Sequence, residues 1–595
     1  MNKKQGWKRL QRLSIDRKRL SKQALKAEAV TKRHAHRFVV QRLRALRDVR
    51  QHIASWILIV GALIGIVALQ MTWYQSGYRA TAGIEGGTYA EGVEGPIDTL
   101  NPLFASTAAE QSASYLLFSR LFDYDATGHL RNDVAKSMTL DESLKTYTIT
   151  LRDDVHWHDG TNLTADDIVY TVETMKNPEV RAVMRNSWHD VSIKKIDTKT
   201  IQFILPASYA SFPHALTFAI LPKHILADVK PNTLRESTYS VSPVGSGPFK
   251  MRLLQTVASI KDSQKIVHLI ANEKYYRGAP KLARFELHAY NDGTSLARSL
   301  KLGDINAAAG LSVNDEVPAQ MTVADVPVGS GVYALFNTKA PQLADVTVRQ
   351  ALQRGTDTAV LRKKVGVADF ALDLPFIPAQ IESSTLPTKP AVNVDEAKSL
   401  LEKAGWKLNG TVRTKNDVAL KLKIVTVKDA RYKAVSDELT RQWKQLGVGV
   451  EATEYDPKTN QQSFAQVVLQ PRSYDILINE LMIGGDADVY AYWHSSQAQT
   501  MGYNFSNYQN GIVDDNLSSA RVKNDVTLRA RKYTAFASQW LADAPAIGLF
   551  QSSLRYAHTK TVAGISSTSV LPTATDRYAN IAYWTAERGQ VYKTP

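Results

Sequence analysis

Two histidines separated by one residue are the first candidates for chemistry. His156 and His158 flank Trp157, and Asp159 follows directly. Side chains two residues apart point to the same side of an extended chain, so both imidazoles could join Asp159 in a metal site. No HExxH pattern or other dedicated ligand set accompanies them. The spacing leaves two interpretations open, a metal site and a structural strand end, and it favours the structural one.

A glycine-rich turn, Gly245-Ser246-Gly247, could in principle cradle a phosphate. It lacks the Lys-Ser/Thr that completes a P-loop and the full GxGxxG of a dinucleotide site. Pro243 and Pro248 flank the turn, which favours a rigid crossing of the chain. The GxSxG signature of serine hydrolases is also absent from the sequence.

An acidic segment is the third candidate. Gly484-Gly485-Asp486-Ala487-Asp488-Val489-Tyr490 follows a predicted strand, and Tyr492 and Trp493 come next. Carboxylates among aromatic residues suit a cationic or polar ligand, because a carboxylate in a partly dry cleft pairs strongly with an ammonium group. A solvent-exposed acidic loop is the alternative, and the spacing alone favours that alternative.

The elements that must position these residues alternate between strands and helices. Residues 147–152 alternate apolar and polar side chains as a half-buried strand does. Thr164 is placed to cap one helix and Asp395 to cap another over residues 396–404. Residues 431–446 form a further amphipathic pattern that ends before a glycine. The alternation predicts an α/β fold.

The charge of the chain is concentrated at its N-terminus. Residues 1–50 contain 17 Lys and Arg and three acidic residues, whereas the remaining 545 residues contain 56 basic and 54 acidic residues. The body is nearly neutral, so we expect no nucleic acid as its partner. The sequence has no cysteine, which excludes disulfides, thiolate metal sites and cysteine nucleophiles. We predict no cofactor, no bound metal and no catalytic residue.

An uncharged stretch separates the basic tail from the body. Residues 53–74 are long and apolar enough to cross a bilayer as a helix. The Lys and Arg excess before them places the N-terminus in the cytoplasm. We therefore predict a basic cytoplasmic tail at 1–52, a transmembrane helix at 53–74, a linker at 75–87 and an extracytoplasmic body.

Two points about this N-terminal region stay open. A cleaved signal peptide, with Ala80-Thr81-Ala82 as its cleavage site, is the alternative to an anchor. The 50-residue basic region and the long apolar run favour the uncleaved anchor. The tail itself is either a basic amphipathic helix on the inner leaflet or a solvated segment.

A series of motifs follows the linker in a recognisable order. They are Gly86-Gly87-Thr88, Leu100-Asn101-Pro102-Leu103, Leu121-Phe122-Asp123-Tyr124, Trp157-His158-Asp159-Gly160-Thr161 with Thr164-Ala165-Asp166-Asp167, Pro243-Val244-Gly245-Ser246-Gly247-Pro248-Phe249, Asn272-Glu273-Lys274-Tyr275-Tyr276, Phe336-Asn337-Thr338, Val348-Arg349-Gln350-Ala351-Leu352 and Ala404-Gly405-Trp406. In this order they resemble the large solute-binding proteins of the peptide/nickel family, which serve ABC importers. The resemblance begins near Gly86 and runs to the C-terminus.

The resemblance implies an α/β fold like that of type II periplasmic binding proteins. Two lobes would be joined by crossing strands, with an extra inserted subdomain. The N-terminal transmembrane helix predicted from the apolar run at 53–74 precedes the part of the chain that carries the resemblance. The implied boundaries are 88–120, 240–332 and 552–595 for lobe I, 121–239 for the inserted subdomain and 333–551 for lobe II.

The resemblance also implies two ligand-binding segments. Ser106, Thr107 and Ala108 would be extended and would pair with the backbone of a peptide. In lobe II the implied binding residues are Gly485, Asp486, Ala487, Asp488, Tyr490 and Trp493. Asp488, with Asp486 as the second choice, would meet the free amino group of the peptide. Many relatives read Asp-Pro-Asp-Pro-Tyr where this chain reads Asp-Ala-Asp-Val-Tyr, so the loop shape differs.

The implied function is that of a membrane-anchored receptor that binds peptides between two lobes and delivers them to the permease subunits of an ABC importer. It would not be an enzyme. Among the ligands of the family, a peptide is favoured over nickel, haem or sugar. A tethered peptide sensor or adaptor that signals through the basic tail is the alternative. A metal-dependent hydrolase using His156 and His158 is the third and least favoured hypothesis.

Overall fold

The N-terminal helices belong to the first of two compact units. The structure, a computed structural model, describes residues 17–37, 49–258, 263–367, 370–381, 385–457, 459–460, 462–564 and 570–592. It divides into one unit of residues 1–82 with 590–595 and a second of residues 83–589. The first unit contains helices α1 (Arg17–Ala35) and α2 (Arg50–Tyr78).

Helix α2 contains the predicted membrane segment. Among the described residues, Arg50–Tyr74 is the one helix that is long and apolar enough to cross a membrane. The helix continues to Tyr78, and Arg79–Ile84 forms strand β1, so most of the predicted linker is regular structure. Residues 75–78 contain no proline, and their one glycine does not suffice to end a helix. Residues 1–16 and 38–48 of the predicted tail lie outside the described residues.

The remaining strands are given in chain order. They are β2 (Thr88–Glu94), β3 (Phe122–Tyr124), β4 (Leu130–Asn132), β5 (Ala135–Leu140), β6 (Thr146–Leu151), β7 (Ser192–Lys195), β8 (Thr200–Ile204), β9 (Phe249–Ala258), β10 (Ser263–Ala271), β11 (Arg284–Tyr290), β12 (Ala307–Ala309), β13 (Met321–Phe336), β14 (Lys407–Asn409), β15 (Val412–Lys415), β16 (Val418–Ala419), β17 (Lys421–Val427), β18 (Gly449–Tyr455), β19 (Ile476–Met482), β20 (Ala546–Thr559) and β21 (Glu587–Tyr592).

The helices of the main unit lie between these strands. They are α3 (Ala108–Leu117), α4 (Ala165–Lys176), α5 (Arg185–Trp188), α6 (Phe212–Ala215), α7 (Lys223–Leu226), α8 (Gly293–Leu302), α9 (Val346–Arg354), α10 (Thr358–Lys364), α11 (Val394–Lys403), α12 (Ala430–Lys444), α13 (Tyr490–Trp493), α14 (Gly511–Val522) and α15 (Val526–Asp543).

One mixed sheet runs through both lobes. Its strand order is β18-β17-β19-β13-β20-β12-β2-β11-β10-β9. The long strands β13 and β20 pair antiparallel from Met321 and Thr559 to Leu335 and Ala546. Strands β12, β2 and β11 extend the sheet on the lobe I side, and β19, β17 and β18 extend it on the lobe II side. Both strands cross the predicted boundaries between lobe I and lobe II, so we expect the β13–β20 pair to join the lobes.

The lobe II part of the sheet is buried on both faces. Alternate residues of β13 enter different apolar clusters: Tyr333 and Leu335 join one, while Val332, Ala334 and Phe336 join the other. Strand side chains alternate between faces, so a strand covered on both sides must be apolar at every position. The unbroken apolar run at 331–336 follows from this requirement.

The segment predicted as the inserted subdomain contains a separate antiparallel sheet of order β5-β6-β8-β7. Strand β6 alternates buried and half-buried residues, which confirms the predicted strand. Helix α4 starts after Thr164, as predicted, and the Asp167 carboxylate accepts the Thr164 backbone N–H at 2.9 Å.

The predicted cap of α11 is wrong by two residues. Asn393, rather than Asp395, caps the helix, because the Asn393 side chain accepts the Glu396 backbone N–H at 3.0 Å. Asp395 lies in the first turn, where its charge still favours the positive helix end.

The turn at Gly245-Ser246-Gly247 is a close crossing of two chain segments. A Cβ on Gly245 would lie 1.9 Å from the Leu117 carbonyl oxygen, and one on Gly247 would lie 2.6 Å from the Leu117 carbonyl carbon. Both positions must therefore be glycine. The Gly245 N–H donates to His158 Nδ1 at 3.2 Å, so Nδ1 is unprotonated and Nε2 donates to the Gly247 carbonyl at 3.1 Å.

These contacts hold His158 neutral. Burial disfavours the imidazolium and lowers the pKa of His158 to about 4. In the unfolded chain the pKa of a histidine is about 6.5, so the unfolded state binds more protons between these values. The stabilisation is complete above about pH 6.5 and is lost as the pH falls toward 4.

We predict that replacing His158 changes the pH dependence of stability. Between pH 7 and pH 5 this group should remove about 2 kcal/mol from the free energy of unfolding of the wild-type protein. H158Q should be less stable at pH 7 but should lose about 2 kcal/mol less on acidification. Urea unfolding at both pH values measures the difference. H156Q is the matched control, and an identical acid loss in wild type and H158Q would contradict the assignment.

Candidate functional site

The acidic loop, residues 484–489, lies beside the crossing between the lobes. The backbone N–H groups of Ile483 and Gly484 both donate to the Gly329 carbonyl, at 2.8 and 2.7 Å. Gly329 lies where the β13–β20 register shifts, between Pro327 and Gly331. A Cβ on Gly329 would meet the Gly484 carbonyl oxygen at 2.5 Å, so glycine permits this approach. The acidic loop is thus hydrogen-bonded to the backbone at the point where the β13–β20 register shifts.

The acidic loop also contacts Tyr124 at the end of β3. A Cβ on Gly485 would lie 2.5 Å from the Tyr124 hydroxyl, which leaves room only for glycine. The Tyr124 hydroxyl is hydrogen-bonded to His214 Nδ1 at 2.8 Å. Lobe II and the chain around β3 are therefore in direct contact at this loop.

Asp486 connects lobe II to the inserted subdomain. Arg529 Nη2 donates to both of its carboxylate oxygens, at 2.8 and 3.0 Å, from within lobe II. The Ser211 hydroxyl donates to the same carboxylate at 2.6 Å from the inserted subdomain, and His214 Nε2 lies 3.8 Å away. Burial by itself would raise the pKa of Asp486, but Arg529, His214 and Ser211 outweigh it and the pKa is lowered. Asp486 is therefore an ionised carboxylate paired with Arg529.

Asp488 has its own arginine. Arg521 Nε lies 3.3 Å from the Asp488 carboxylate, whose side chain is only 8% exposed. Burial raises the pKa of Asp488, and the attraction of Arg521 only partly offsets it. The guanidinium of Arg521 lies over the rings of Tyr209 and Tyr490, with Cζ 4.5 Å from each centroid.

Sequence reasoning missed both arginines. Arg521 lies in the last turn of α14 and Arg529 in the first turns of α15, 33 and 43 residues after the aspartates that they pair with. The general rule that buried carboxylates are paired could have signalled the need for two cations, but nothing in the spacing identifies which ones.

The other implied binding residues of lobe II divide between core and surface. Trp493 is fully buried, stacks edge-on with Trp540 at 5.3 Å and donates its indole N–H to the Pro375 carbonyl. The predicted ligand contact of Trp493 does not agree with this position, because the side chain points into the apolar core. Ala487 is also buried, whereas Tyr490 is half-buried beside Arg521.

The segment Ser106-Thr107-Ala108 is not the extended strand that the resemblance implies. Thr107 caps α3, which begins at Ala108. The backbone N–H groups of Ser106 and Thr107 both donate to the Glu110 carboxylate, at 2.8 and 3.1 Å. A capping box forms here because Thr is followed by Glu three residues later. These two donors are occupied and do not face a ligand backbone.

The two histidines do not assemble a metal site. His158 uses both ring nitrogens on the backbone of the glycine turn, and His156 Nδ1 is 3.1 Å from the Asp154 carbonyl. Within the described ranges, no group of three or more His, Cys, Asp or Glu side chains is arranged to hold a metal ion.

A cavity of about 780 Å³ adjoins the acidic loop. One wall belongs to the inserted subdomain and the other to lobe II, so the cavity spans two parts of the fold. The first wall includes Tyr209 and the buried Trp188 and Phe212, and the second wall includes Tyr490, Tyr503 and Arg521. Volumes of 300–1,000 Å³ are typical of sites for small ligands.

Comparison with known proteins identifies related sequences and folds. The sequence model described as "Bacterial extracellular solute-binding proteins, family 5 Middle" matches residues 129–543. The oligopeptide-binding protein AppA of Bacillus subtilis is 26% identical over 483 residues, which cover 78% of this chain and 85% of AppA.

Two solved structures are similar over nearly their whole length. NikZ from Campylobacter jejuni, in complex with Ni(L-His), has a TM-score of 0.69 and 24% identity, with 84% of this chain and 99% of NikZ covered. AppA from Bacillus subtilis, in complex with a nonapeptide, has a TM-score of 0.67 and 23% identity, with 85% of this chain and 99% of AppA covered. These similarities confirm the predicted two-lobed fold.

The contact between Ser211 and Asp486 predicts a variant that opens the lobes. S211A removes a hydrogen bond to a charged group but leaves the Asp486–Arg529 pair in lobe II. Such a bond contributes about 1.5–3 kcal/mol, so the closed conformer should become about tenfold less populated. Because the chain has no native cysteine, fluorophores on K194C and R531C can report the distance between the inserted subdomain and lobe II.

The control for this experiment is S237A, since Ser237 donates only to Leu234 within the inserted subdomain. The labelled S211A protein should show a longer mean distance than the wild type, and S237A should not. Equal distances in all three proteins would show that Ser211 does not hold the lobes together.

Proposed function

Because this chain belongs to family 5 of the bacterial extracellular solute-binding proteins, we propose that it binds a peptide or peptide-like solute between its lobes and delivers it to the permease subunits of an ABC importer. The observation that carries the proposal is the cavity of about 780 Å³ with walls from both the inserted subdomain and lobe II. A solute that contacts both walls favours the closed state, since it binds that state better than the open one.

The lining of the cavity supports a peptide-like solute. The accessible tyrosine rings of Tyr209, Tyr490 and Tyr503 offer apolar surface with polar edges, which accommodates varied side chains. The similar protein AppA is named for binding oligopeptides, and NikZ was solved with Ni(L-His). An amino-acid-derived ligand is common to both names.

The proposed role is that of a receptor rather than an enzyme. The only local pattern that offered metal chemistry in the sequence was the His156 and His158 pair. His158 is committed to the backbone of the crossing, and its lowered pKa reflects burial rather than a catalytic partner. The family is one of solute-binding proteins, and the receptor role needs no bond-making step.

We also propose that α2 is an uncleaved membrane anchor for an extracytoplasmic body. The apolar side chains of its membrane segment are exposed in the structure, for example Leu58 at 74% and Leu69 at 72%. Such a surface is stable in lipid and unfavourable in water. The basic residues that precede it favour a cytoplasmic N-terminus.

The binding proposal predicts that short peptides co-purify with the full chain and that Tyr490 contributes to their affinity. Y490A removes an aromatic wall and should weaken the peptides identified by mass spectrometry about 5- to 20-fold in calorimetric titrations. Y583A is the matched control, because Tyr583 is 63% exposed and lies outside the cavity. If no peptide binds the wild-type protein, the proposed function is wrong.

The anchor proposal predicts that the chain stays in the membrane fraction after an alkaline wash, with its N-terminus intact by mass spectrometry. The double variant L63R/I64R should be released, because each arginine at the centre of a bilayer helix is unfavourable by about 2.5–3.5 kcal/mol. A wild-type protein that lacks its first 82 residues would instead identify the segment as a cleaved signal.

A further inference from the structure

The cavity between the inserted subdomain and lobe II exposes a cation rather than the acids of the neighbouring loop. Arg521 is the one Lys or Arg among the described residues that line it. Neither Asp486 nor Asp488 belongs to the lining, and each already has an arginine partner. A ligand ammonium group would therefore have to displace an existing ion pair, whereas a ligand carboxylate would not.

Arg521 is held in a fixed orientation. Its guanidinium carbon lies 4.5 Å from the ring centroids of both Tyr209 and Tyr490, and each aromatic ring stabilises the cation. Its Nε is the atom that faces Asp488, at 3.3 Å. The side chain remains 34% exposed, so part of the planar group is open to the cavity. Fixed, planar guanidinium groups are well suited to bind carboxylates through two parallel hydrogen bonds.

The pairing with Asp488 does not use up this capacity. Asp488 faces Arg521 Nε, and a guanidinium group carries further N–H donors on its two terminal nitrogens. A second carboxylate on the exposed side of Arg521 would therefore add a favourable charge interaction.

The remaining charged residues of the cavity lie on the opposite wall. His189 Nε2 is 3.0 Å from the Asp190 carboxylate, and the two side chains are 62% and 66% exposed. Charges in water contribute little to binding because they are screened. The half-buried Arg521 therefore dominates the electrostatic preference of the cavity.

We propose that Arg521 makes the cavity selective for solutes that carry a carboxylate, and that this group docks on the guanidinium between Tyr209 and Tyr490. The inference rests on the proposed function and specifies its ligand class. The apolar body of the solute lies against Met184 and Tyr503, the exposed apolar side chains of the same cavity. A peptide C-terminus and an acidic side chain supply the same chemistry.

The test compares matched peptide pools on the full chain. The probes are a tetrapeptide pool of Ala, Gly, Leu and Ser with free termini, the same pool with C-terminal amides, the same pool with acetylated N-termini, and an amidated pool in which one residue is Glu. Peptide retained after rapid desalting is quantified by mass spectrometry for the wild type, R521Q, R521K and R531Q. Arg531 is an exposed arginine outside the cavity and serves as the control.

The expected result is a difference in selectivity rather than in overall affinity. The wild type and R531Q should retain the free-acid pool about 10- to 100-fold better than the amidated pool, as for loss of a charge-assisted hydrogen bond. R521Q should abolish this ratio, and R521K should restore part of it. Retention of the amidated Glu pool would assign the carboxylate to a side chain instead of the C-terminus.

Other outcomes would overturn the inference. If the wild type retains acids and amides equally, or if R521Q weakens both pools by the same factor, Arg521 has only a structural role, while the proposed function stands. Strong loss on N-terminal acetylation without loss on amidation would assign recognition to the acidic loop. If no pool is retained by any protein, both the proposed function and this inference are wrong.

Discussion

The pairing of β13 with β20 positions the rest of the main unit, because these two strands continue through both lobes of one sheet. Their register shifts between Pro327 and Gly331, and the backbone there finds other partners. Gly329 donates to the Leu571 carbonyl and accepts from Ile483 and Gly484. Buried backbone groups must be paired, so the acidic loop and the segment at 571 complete the ladder where the strands do not. Any rotation at this point also moves the acidic loop.

The second constraint is the neutralisation of buried charge. Asp486 and Asp488 lie on a loop between lobes, and each is paired with an arginine of α14 or α15. An isolated buried carboxylate is strongly unfavourable, whereas a paired one is tolerated. The Ser211 hydroxyl adds a bond from the inserted subdomain to the Asp486–Arg529 pair. The hydrogen bond from Ser211 can therefore be broken while Asp486 and Arg529 remain paired with each other.

The short helix α13 carries one side chain that packs in the core and one that lines the cavity. In α13, Trp493 enters the core with Trp540, and Tyr490 lies at the cavity beside Arg521. The buried tryptophan fixes the helix, and the fixed helix holds the tyrosine against the guanidinium. Rigid aromatic side chains provide contact area with little loss of conformational entropy. The cavity wall is therefore formed before a solute arrives.

Several features follow from the sequence alone because they depend on neighbouring residues. The membrane-length apolar run, the β6 strand, the start of α4 and the family motifs are all local patterns, and the two-lobed fold follows from their order. The prolines that flank Gly245 and Gly247 also predicted a rigid crossing of the chain at this point. The cap at Asn393 is also a local feature, but Asp395, two residues later, is an equally suitable capping residue by type. The capping box at Thr107 is local as well, but the resemblance assigned this residue to ligand binding.

The chemistry of the site was decided by tertiary structure. Asp486 meets Ser211 across 275 residues and Arg529 across 43, and no periodicity of the chain encodes either separation. The sequence predicted that the acidic residues bind a cationic ligand. Only the fold showed that each aspartate is already paired with an arginine and that Arg521 lines the cavity. The physical reason is that a charge acts according to its distance from other charges and from water, and both distances are set by packing between segments remote in the chain.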